Sequence, residues 1–516
     1  MAPETAQKVP VDAADHTTAI IIGAGVSGLD ALIQFQRLLK LTDVVVYEKD
    51  GALGGTWAAN HYPGASCDIP VAFYSFSFAP ATEFDTQWPG AAGICRYYNR
   101  IVDQYRVRDR IVLHTLIQEA HFSRSTGLWT VKLKNIETGE EWTKTCNILV
   151  SAVGALSVPA DPPFDTTQFD GVVMHTAKWD SSVSLKDKDV VILGNGCSAA
   201  QVIPAVLKDV KSLTQIARSK HAIVPRNAVP DNAFTNAIVR WVPGLITVFR
   251  FAVFLLCESY FALFDTVGGA KGRRAIHKVS SDYIRRTAPA KFHDKLEYDF
   301  EFGQKRRIID YSNMTSALHD PKFDLLFPDS IESAKGRTVI TESGKEVPAD
   351  VIVTATGFKV ADYLFPLKVV NGEGESLVDR LKRNGVKTYL TSMVATYPNF
   401  WILMGPNSVT GHSSALYNTE CTVDMMIKLL KPVVASIKKG ATSPAPSVEV
   451  TRKAEDEWFA EMRDEMAKKV FEKAGKMSWY VDPQTGTCTT LFPWGQLEFL
   501  RQTRNIKKER FVWTAT

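Results

Sequence analysis

Ala19-Ile20-Ile21-Ile22-Gly23-Ala24-Gly25-Val26-Ser27-Gly28 is the stretch on which the fold turns. The aliphatic run reads as a buried strand, the glycines as a tight turn, and the residues from Val26 onward as the start of a helix. In that context each glycine has a mechanical duty. Gly23 permits the turn, Gly25 lets backbone approach a pyrophosphate, and Gly28 lets helix and strand pack closely. The helix N-terminus then faces the diphosphate with free N–H groups and the positive end of its dipole. Glu48 ends the next strand-like run, Val44 to Tyr47, where an acid accepts ribose hydroxyls. A lone GxGxxG is weak evidence, but strand, turn, helix and acid in this order specify a dinucleotide site.

The pattern recurs. Val190 to Leu193 runs into Gly194-Asn195-Gly196-Cys197-Ser198-Ala199, with alanine as a permitted third member. The strand after it, Ser212 to Ala217, ends in Arg218, with Ser219 and Lys220 following, and not in an acid. A guanidinium there suits a 2′-phosphate and favours NADPH over NADH. Two such units predict an α/β fold with two Rossmann-like dinucleotide-binding domains. Val351 to Thr354, leading into Ala355-Thr356-Gly357-Phe358, resembles Ile148 to Val150 leading into Ser151-Ala152-Val153-Gly154. These two stretches read as crossover strands between the domains.

Composition narrows the function classes. A chain of 516 residues, 45% hydrophobic and 22% charged, is that of a multidomain globular protein. A formal charge of +4, spread along the chain, is too little asymmetry to argue for a nucleic-acid or an anionic-membrane partner, and neither is expected. Seven widely spaced cysteines without a CxxC pair or a metal-ligand cluster predict a reducing compartment, cytoplasmic location and no metal. Met1 to His16 lack the apolar core of a secretory leader. Trp241 to Phe264 is apolar, but Arg250 and Glu258 break it into runs shorter than a bilayer requires, so no transmembrane segment is expected. Buried or interfacial helices are the reading there, and Gly440 to Ser447 reads as a loop before a charged helix from about Glu449 to Phe471.

Two further motifs identify a family. Phe169-x-Gly171-x-x-x-His175-x-x-x-Trp179-Asp180 resembles the fingerprint FxGxxxHxxxW[P/D] of type I Baeyer-Villiger monooxygenases. Gly54-Gly55-x-Trp57, then Tyr62-Pro63-Gly64-x-x-x-Asp68, resembles that family's second pattern. Taken singly, His175 could be a hydrogen-bonded core histidine and the tryptophans simple core aromatics. The combination carries the resemblance, which runs on through Gly405-Pro406-Asn407 to Ser478-Trp479-Tyr480.

The resemblance implies an FAD-binding domain of residues 1–165 and 345–516 and an NADP-binding domain of residues 166–344, with a mostly helical insertion at about 228–300. It implies that Gly23, Gly25, Gly28, Glu48, Thr56, Trp57, Asp68, Tyr74 and Ile117 serve FAD. It likewise implies that the second turn, Gly194 to Ala199, with Arg218, Ser219, Lys305 and Arg306, serves NADP. The segment Gly303-Gln304-Lys305-Arg306-Arg307 looks like the family's Lys-Arg pair, which puts the active-site role on Arg306, paired with Asp68. Phe169, Gly171, His175 and Trp179 are then linker residues that couple domain movement to cofactor state. The implied reaction uses O2, NADPH and an anionic C4a-peroxyflavin to convert a ketone, expected to be apolar, into an ester or lactone. A permanent cation near that anion is a chemical need, and arginine supplies it at any working pH.

Rival readings share parts of the pattern. A flavin monooxygenase acting on nitrogen or sulfur has both nucleotide turns but lacks the Trp57 to Asp68 motif. A pyridine-nucleotide disulfide reductase needs a redox cysteine pair, and none is evident. A non-catalytic flavin-binding sensor predicts loss of the Asp68, Lys305 and Arg306 constellation, which is present. Oligomeric state is not written in the sequence.

Overall fold

The computed structural model describes residues 15–226, 229–242, 244–360, 364–440 and 443–515. The strand His16–Ile22 runs parallel to Val44–Tyr47 on one side and to Glu141–Ser151 on the other. Ile111–Val112 extends the sheet beyond Val44–Tyr47. Glu141–Ser151 is long enough to serve two neighbours. Its first half pairs antiparallel with Leu128–Asn135, and its second half pairs parallel with Phe400–Ile402. Thr115–Ser123 and Lys368–Val370 complete this eight-stranded sheet.

The second sheet has five parallel strands in the order Phe323–Leu326, Ser212–Ile216, Asp189–Leu193, Val351–Thr354, Val172–His175. All four residues of Val351–Thr354 are buried, as expected of a central strand covered on both faces. This corrects the boundary expected at residue 345. The chain leaves the second unit only after Thr354, because Asp189–Leu193 and Val172–His175 offer that strand a ladder on both edges.

The two linkers between the sheets pair with each other. Pro159 and Phe358 form an antiparallel bridge, Ala160 N–H donates to the Gly357 carbonyl at 2.9 Å, and Lys359 N–H donates to the Val158 carbonyl at 2.9 Å. The insertion folds as Ala233–Trp241, Leu245–Ser259 with a tight turn Tyr260–Phe264, and Ala270–Thr287. Arg250 and Glu258 do not interrupt the outer face of this insertion, because both point inward. Arg250 is 9% exposed, and the Glu258 side chain faces His412.

Candidate active site

Both glycine turns are held against a crossover strand in the same way. Gly23 has φ +102°, and a Cβ there would stand 2.7 Å from the Ala152 carbonyl oxygen. Gly194 has φ +130°, and a Cβ there would stand 2.5 Å from the Ala355 carbonyl oxygen. A side chain at either position would drive the turn off its neighbouring strand. Gly28 packs against the Gly23 carbonyl, and Gly25 against Gly55, whose own Cβ would come within 2.8 Å of the Gly25 Cα. The buried Glu48 carboxylate accepts from Ala24 N–H at 2.7 Å and Asp50 N–H at 2.9 Å, which fixes the acid beside the turn. Burial raises the Glu48 pKa against those two bonds. The helices Val26–Gln34 and Cys197–Val206 start at Gly25 and Gly196 with no side-chain cap, and a Cβ on Gly196 would meet nothing within 4 Å. Uncapped first-turn N–H groups fit a phosphate, and at the second turn they adjoin open space.

Around the second turn, Asn195 Nδ2 donates to the Ser219 carbonyl at 3.1 Å, and Gln215 Nε2 donates to the Gly194 carbonyl at 2.9 Å. Arg218 is exposed and forms no ion pair among the described residues. Lys305 Nζ donates to the Lys220 carbonyl at 3.2 Å and is 4% exposed, so burial lowers its pKa despite Asp299. Lys220 itself faces Asp299 at 3.5 Å. Ser198 Oγ lies 3.2 Å from the Tyr62 hydroxyl oxygen, Cys197 Sγ lies 3.6 Å from the Arg307 carbonyl, and Ala199 is buried.

Asp68 and Arg306, 238 residues apart, meet at 2.5 Å between Oδ2 and a guanidinium nitrogen. Their side chains are 16% and 19% exposed. Burial works against an ionised Asp68, but Arg306 and Arg307 outweigh it and hold the carboxyl below its usual range. Burial works equally against the Arg306 cation, and Asp68 more than offsets it. Arg307 takes a different place: it donates to the Gly411 carbonyl at 2.9 Å. Trp57 Nε1 donates to the Tyr74 hydroxyl at 3.1 Å with the rings edge to face. Thr56 is exposed at the start of the short helix Thr56–Ala59, and Ile117 is buried in the same core cluster as Tyr47. The Tyr480 hydroxyl is buried, which pushes its pKa up to about 12 against the pull of Arg306 and Arg307.

Sequence reading missed the seam that brings Asp68 to Arg306. Gly64, with φ +86°, would place a Cβ 2.4 Å from the Gln201 carbonyl of the second unit. The Tyr62 hydroxyl donates to Gln201 Oε1 at 2.7 Å, and Gln201 Nε2 donates to the Ser66 carbonyl at 2.9 Å and contacts the Tyr311 hydroxyl. Tyr311 also donates to the Ser66 carbonyl, at 3.0 Å. Tyr62-Pro63-Gly64 is thus the docking edge of the first unit. The spacing of the motif showed that these residues mattered, but Gln201 and Tyr311 belong to no motif.

The fingerprint residues lie on the second unit and its linkers. Gly171 is crowded by the Asp350 carbonyl at 2.4 Å and by the Phe169 ring at 2.5 Å from a built Cβ, so only glycine fits beneath that ring. His175 ends the edge strand, and its Nδ1 accepts from Ala177 N–H at 3.0 Å. The proton therefore sits on Nε2. Burial lowers the His175 pKa, which keeps the ring neutral at pH 7. It packs edge-on to Phe358 of the returning linker, with 5.9 Å between centroids. The Trp179 carbonyl accepts from His61 Nε2 at 2.9 Å, and its ring shares a core with Tyr62 and Ala65.

A cavity of about 160 Å³ is lined by Arg307 and His412 and by the apolar residues Val224, Tyr260, Phe264 and Ile276. His412 Nε2 donates to Glu258 at 3.1 Å, while burial lowers its pKa.

Residues 21–84 match the NAD(P)-binding Rossmann-like domain family. The chain is similar in fold to the closed crystal structure of cyclohexanone monooxygenase, with TM-score 0.82 and 22% identity over 97% of this chain and 99% of that one. It is likewise similar to OTEMO in complex with FAD and NADP, with TM-score 0.81 and 21% identity over 96% of this chain and 99% of that one. A Baeyer-Villiger monooxygenase of Streptomyces coelicolor is 30% identical over 500 residues, which cover 95% of this chain and 92% of that protein. With identity sustained along both chains, this protein belongs to the Baeyer-Villiger monooxygenase family.

Proposed function

We propose that this chain binds FAD at the first turn and NADPH at the second, and inserts one oxygen atom of O2 beside the carbonyl of a ketone to give an ester or lactone. The uncapped helix starts, Glu48 beside the first turn and the exposed Arg218 beyond the second support this pair of cofactors. When bound, reduced flavin supplies the activated oxygen. The chain's own residues position charge and exclude water.

The observation that carries the reading is the Asp68–Arg306 pair across the seam. A guanidinium has five N–H donors, and the hydrogen bond to Asp68 takes one of them, which leaves further donors to face an anion or the oxygen of a tetrahedral adduct. Preorganised charge of this kind contributes about 3 kcal/mol per donor where charge develops. Asp68 fixes the direction of the guanidinium and tempers its field. The cavity beside Arg307, walled by Tyr260, Phe264 and Ile276, suits an apolar ketone. All seven cysteines are free, which supports a reducing, cytoplasmic setting.

The test is anaerobic reduction of the flavin-loaded protein by NADPH, followed by oxygen and a ketone, for wild type and Arg306→Ala. Wild type is expected to form ester in step with NADPH consumed. The variant is expected to be reduced normally but to form ester about 10²- to 10³-fold more slowly. Turnover of amines or sulfides in preference to ketones would overturn the reading.

The contact of His175 with Phe358 on the paired linkers supports a role in coupling domain position to cofactor state. His175→Ala should slow oxygenation while leaving NADPH affinity intact. A variant with unchanged NADPH oxidation and oxygenation would count against that role.

A further inference from the structure

On the first two helices of the insertion the outer surface is largely apolar, with Arg240 its one exposed charge among the described residues. In Leu245–Ser259 the exposed positions are Thr247, Val248, Phe251, Ala252, Leu255 and Ser259, which form one stripe at helical spacing. In the adjoining helix Ala233–Trp241, the residues Phe234, Ala237 and Trp241 form a second stripe. Trp241 is 78% exposed, Phe234 76%, Val248 64% and Phe251 58%. Large apolar side chains gathered this way exceed the scatter normal for a protein surface.

The charged residues of the second helix point the other way. Arg250 donates to the carbonyls of Ala72 at 3.1 Å and Ser75 at 2.6 Å, and faces Glu420 at 3.3 Å. Glu258 accepts from His412 and from the Gln496 and Leu497 N–H groups. Charges turned inward with phenylalanine and tryptophan turned outward invert the usual partition, which is favourable only where the outer face leaves water.

We propose that these two helices form a platform that seats the protein on the surface of an anionic lipid bilayer. The segment Leu245–Phe264 is long and apolar enough, by length and composition, to cross a membrane, and most of it is not buried in the protein. Arg250 and Glu258 fasten it to the protein body, so it lies in the interface and does not cross. Trp241, at the end of its helix, is the residue type that favours the headgroup boundary. Charge complementarity selects the occupant. The helix Ala270–Thr287 abuts the end of the segment, where a Cβ on Gly272 would touch Leu263 at 2.5 Å. It carries Lys271, Arg274 and Lys278 at helical spacing, all exposed and without an ion pair among the described residues. Anionic headgroups attract that cationic row, whereas a second copy docked on the same face would oppose it with its own.

The platform adjoins the cavity beside Arg307. Tyr260, where the helix tightens, and Val279, 45% exposed, both line the cavity together with Arg307. A ketone dissolved in the bilayer would enter from the lipid side. This delivery step rests on the ketone reading above, and the docking does not.

The experiment is flotation of the flavin-loaded protein with vesicles of phosphatidylcholine alone or mixed with phosphatidylserine. Sedimentation velocity without lipid and the thermal midpoint accompany it. Wild type should float with the mixed vesicles. Phe251→Glu, Val248→Glu and the pair Lys271→Glu/Arg274→Glu should each reduce the floating fraction at least tenfold at an unchanged midpoint. Failure of wild type to float would overturn the proposal, as would equal flotation on neutral vesicles. A concentration-dependent dimer dissolved by Phe251→Glu would give the face to a second copy and also overturn it. Ester formation in solution is read separately, so failure of the catalytic reading remains distinguishable.

Discussion

At the scale of single residues, the decisive distinction is between Arg306 and Arg307. Neighbours in sequence, they diverge in space: one meets Asp68 across the seam, and the other holds the Gly411 loop at the cavity. The sequence showed the pair of arginines but could not show the divergence, because it depends on which guanidinium the rest of the fold turns toward Asp68. The same contact has a pH signature. Asp68 titrates below its usual range in the folded protein, so its share of stability is present above about pH 4, the ordinary aspartate value, and is lost as pH falls through the lower folded value. Removing one partner of such a pair costs about 3 kcal/mol because the other charge is left buried alone. Asp68→Asn should therefore melt several degrees below wild type at pH 7, and the gap should close as pH falls below 4. Melting curves whose separation stayed constant from pH 7 to pH 3 would mean that the ion pair adds no stability.

At the scale of elements, local patterns were legible and distant partners were not. The two glycine turns declared themselves because strand, turn and helix follow one another within the chain. The ownership of Val351–Thr354 did not, since its neighbours Asp189–Leu193 and Val172–His175 lie far away in sequence. Glu449 illustrates the same limit. Expected to open a helix, it instead lies in the strand Ser447–Val450, paired with Val512, and the helix begins at Arg452. In the insertion, Arg250 and Glu258 look like interruptions in one dimension and become inward anchors once the helix has a back face. Crowding at Gly64 gives an element-scale test. Gly64 and Gly139 both have left-handed backbone, at φ +86° and φ +78°, but a Cβ meets the Gln201 carbonyl at 2.4 Å in the first case and nothing within 4 Å in the second. Gly139→Ala should cost about 1 kcal/mol, the backbone penalty alone. Gly64→Ala should cost clearly more, about 3 kcal/mol, because backbone must give way as well. Chemical denaturation of both variants measures the difference, and equal costs would refute tight docking of the two units at this edge.

At the scale of the molecule, the two units are joined by the paired linkers and by the seam of Tyr62, Ser66, Gln201 and Tyr311. Each unit alone holds only half of the ion pair: Asp68 belongs to the first and Arg306 to the second. The position of the cation is therefore a property of docking. Gln201 sits at the centre of the seam, accepting from Tyr62 and donating to Ser66, and is 7% exposed. Gln201→Ala would remove one of the two partners of the Tyr62 hydroxyl and of the Ser66 carbonyl, leaving Ser198 and Tyr311 as the others, at about 1 kcal/mol for each hydrogen bond lost. That loosens docking without touching either phosphate turn. NADPH should then reduce the flavin at close to the wild-type rate, while the share of NADPH that ends in ester falls severalfold and hydrogen peroxide rises to match. The readout is the ratio of ester to NADPH consumed, measured beside the anaerobic reduction rate. If both fell together, Gln201 would be serving the nucleotide site directly. If neither moved, the position of Arg306 would be set by the linkers alone, and His175 on Phe358 would become the residue on which docking depends.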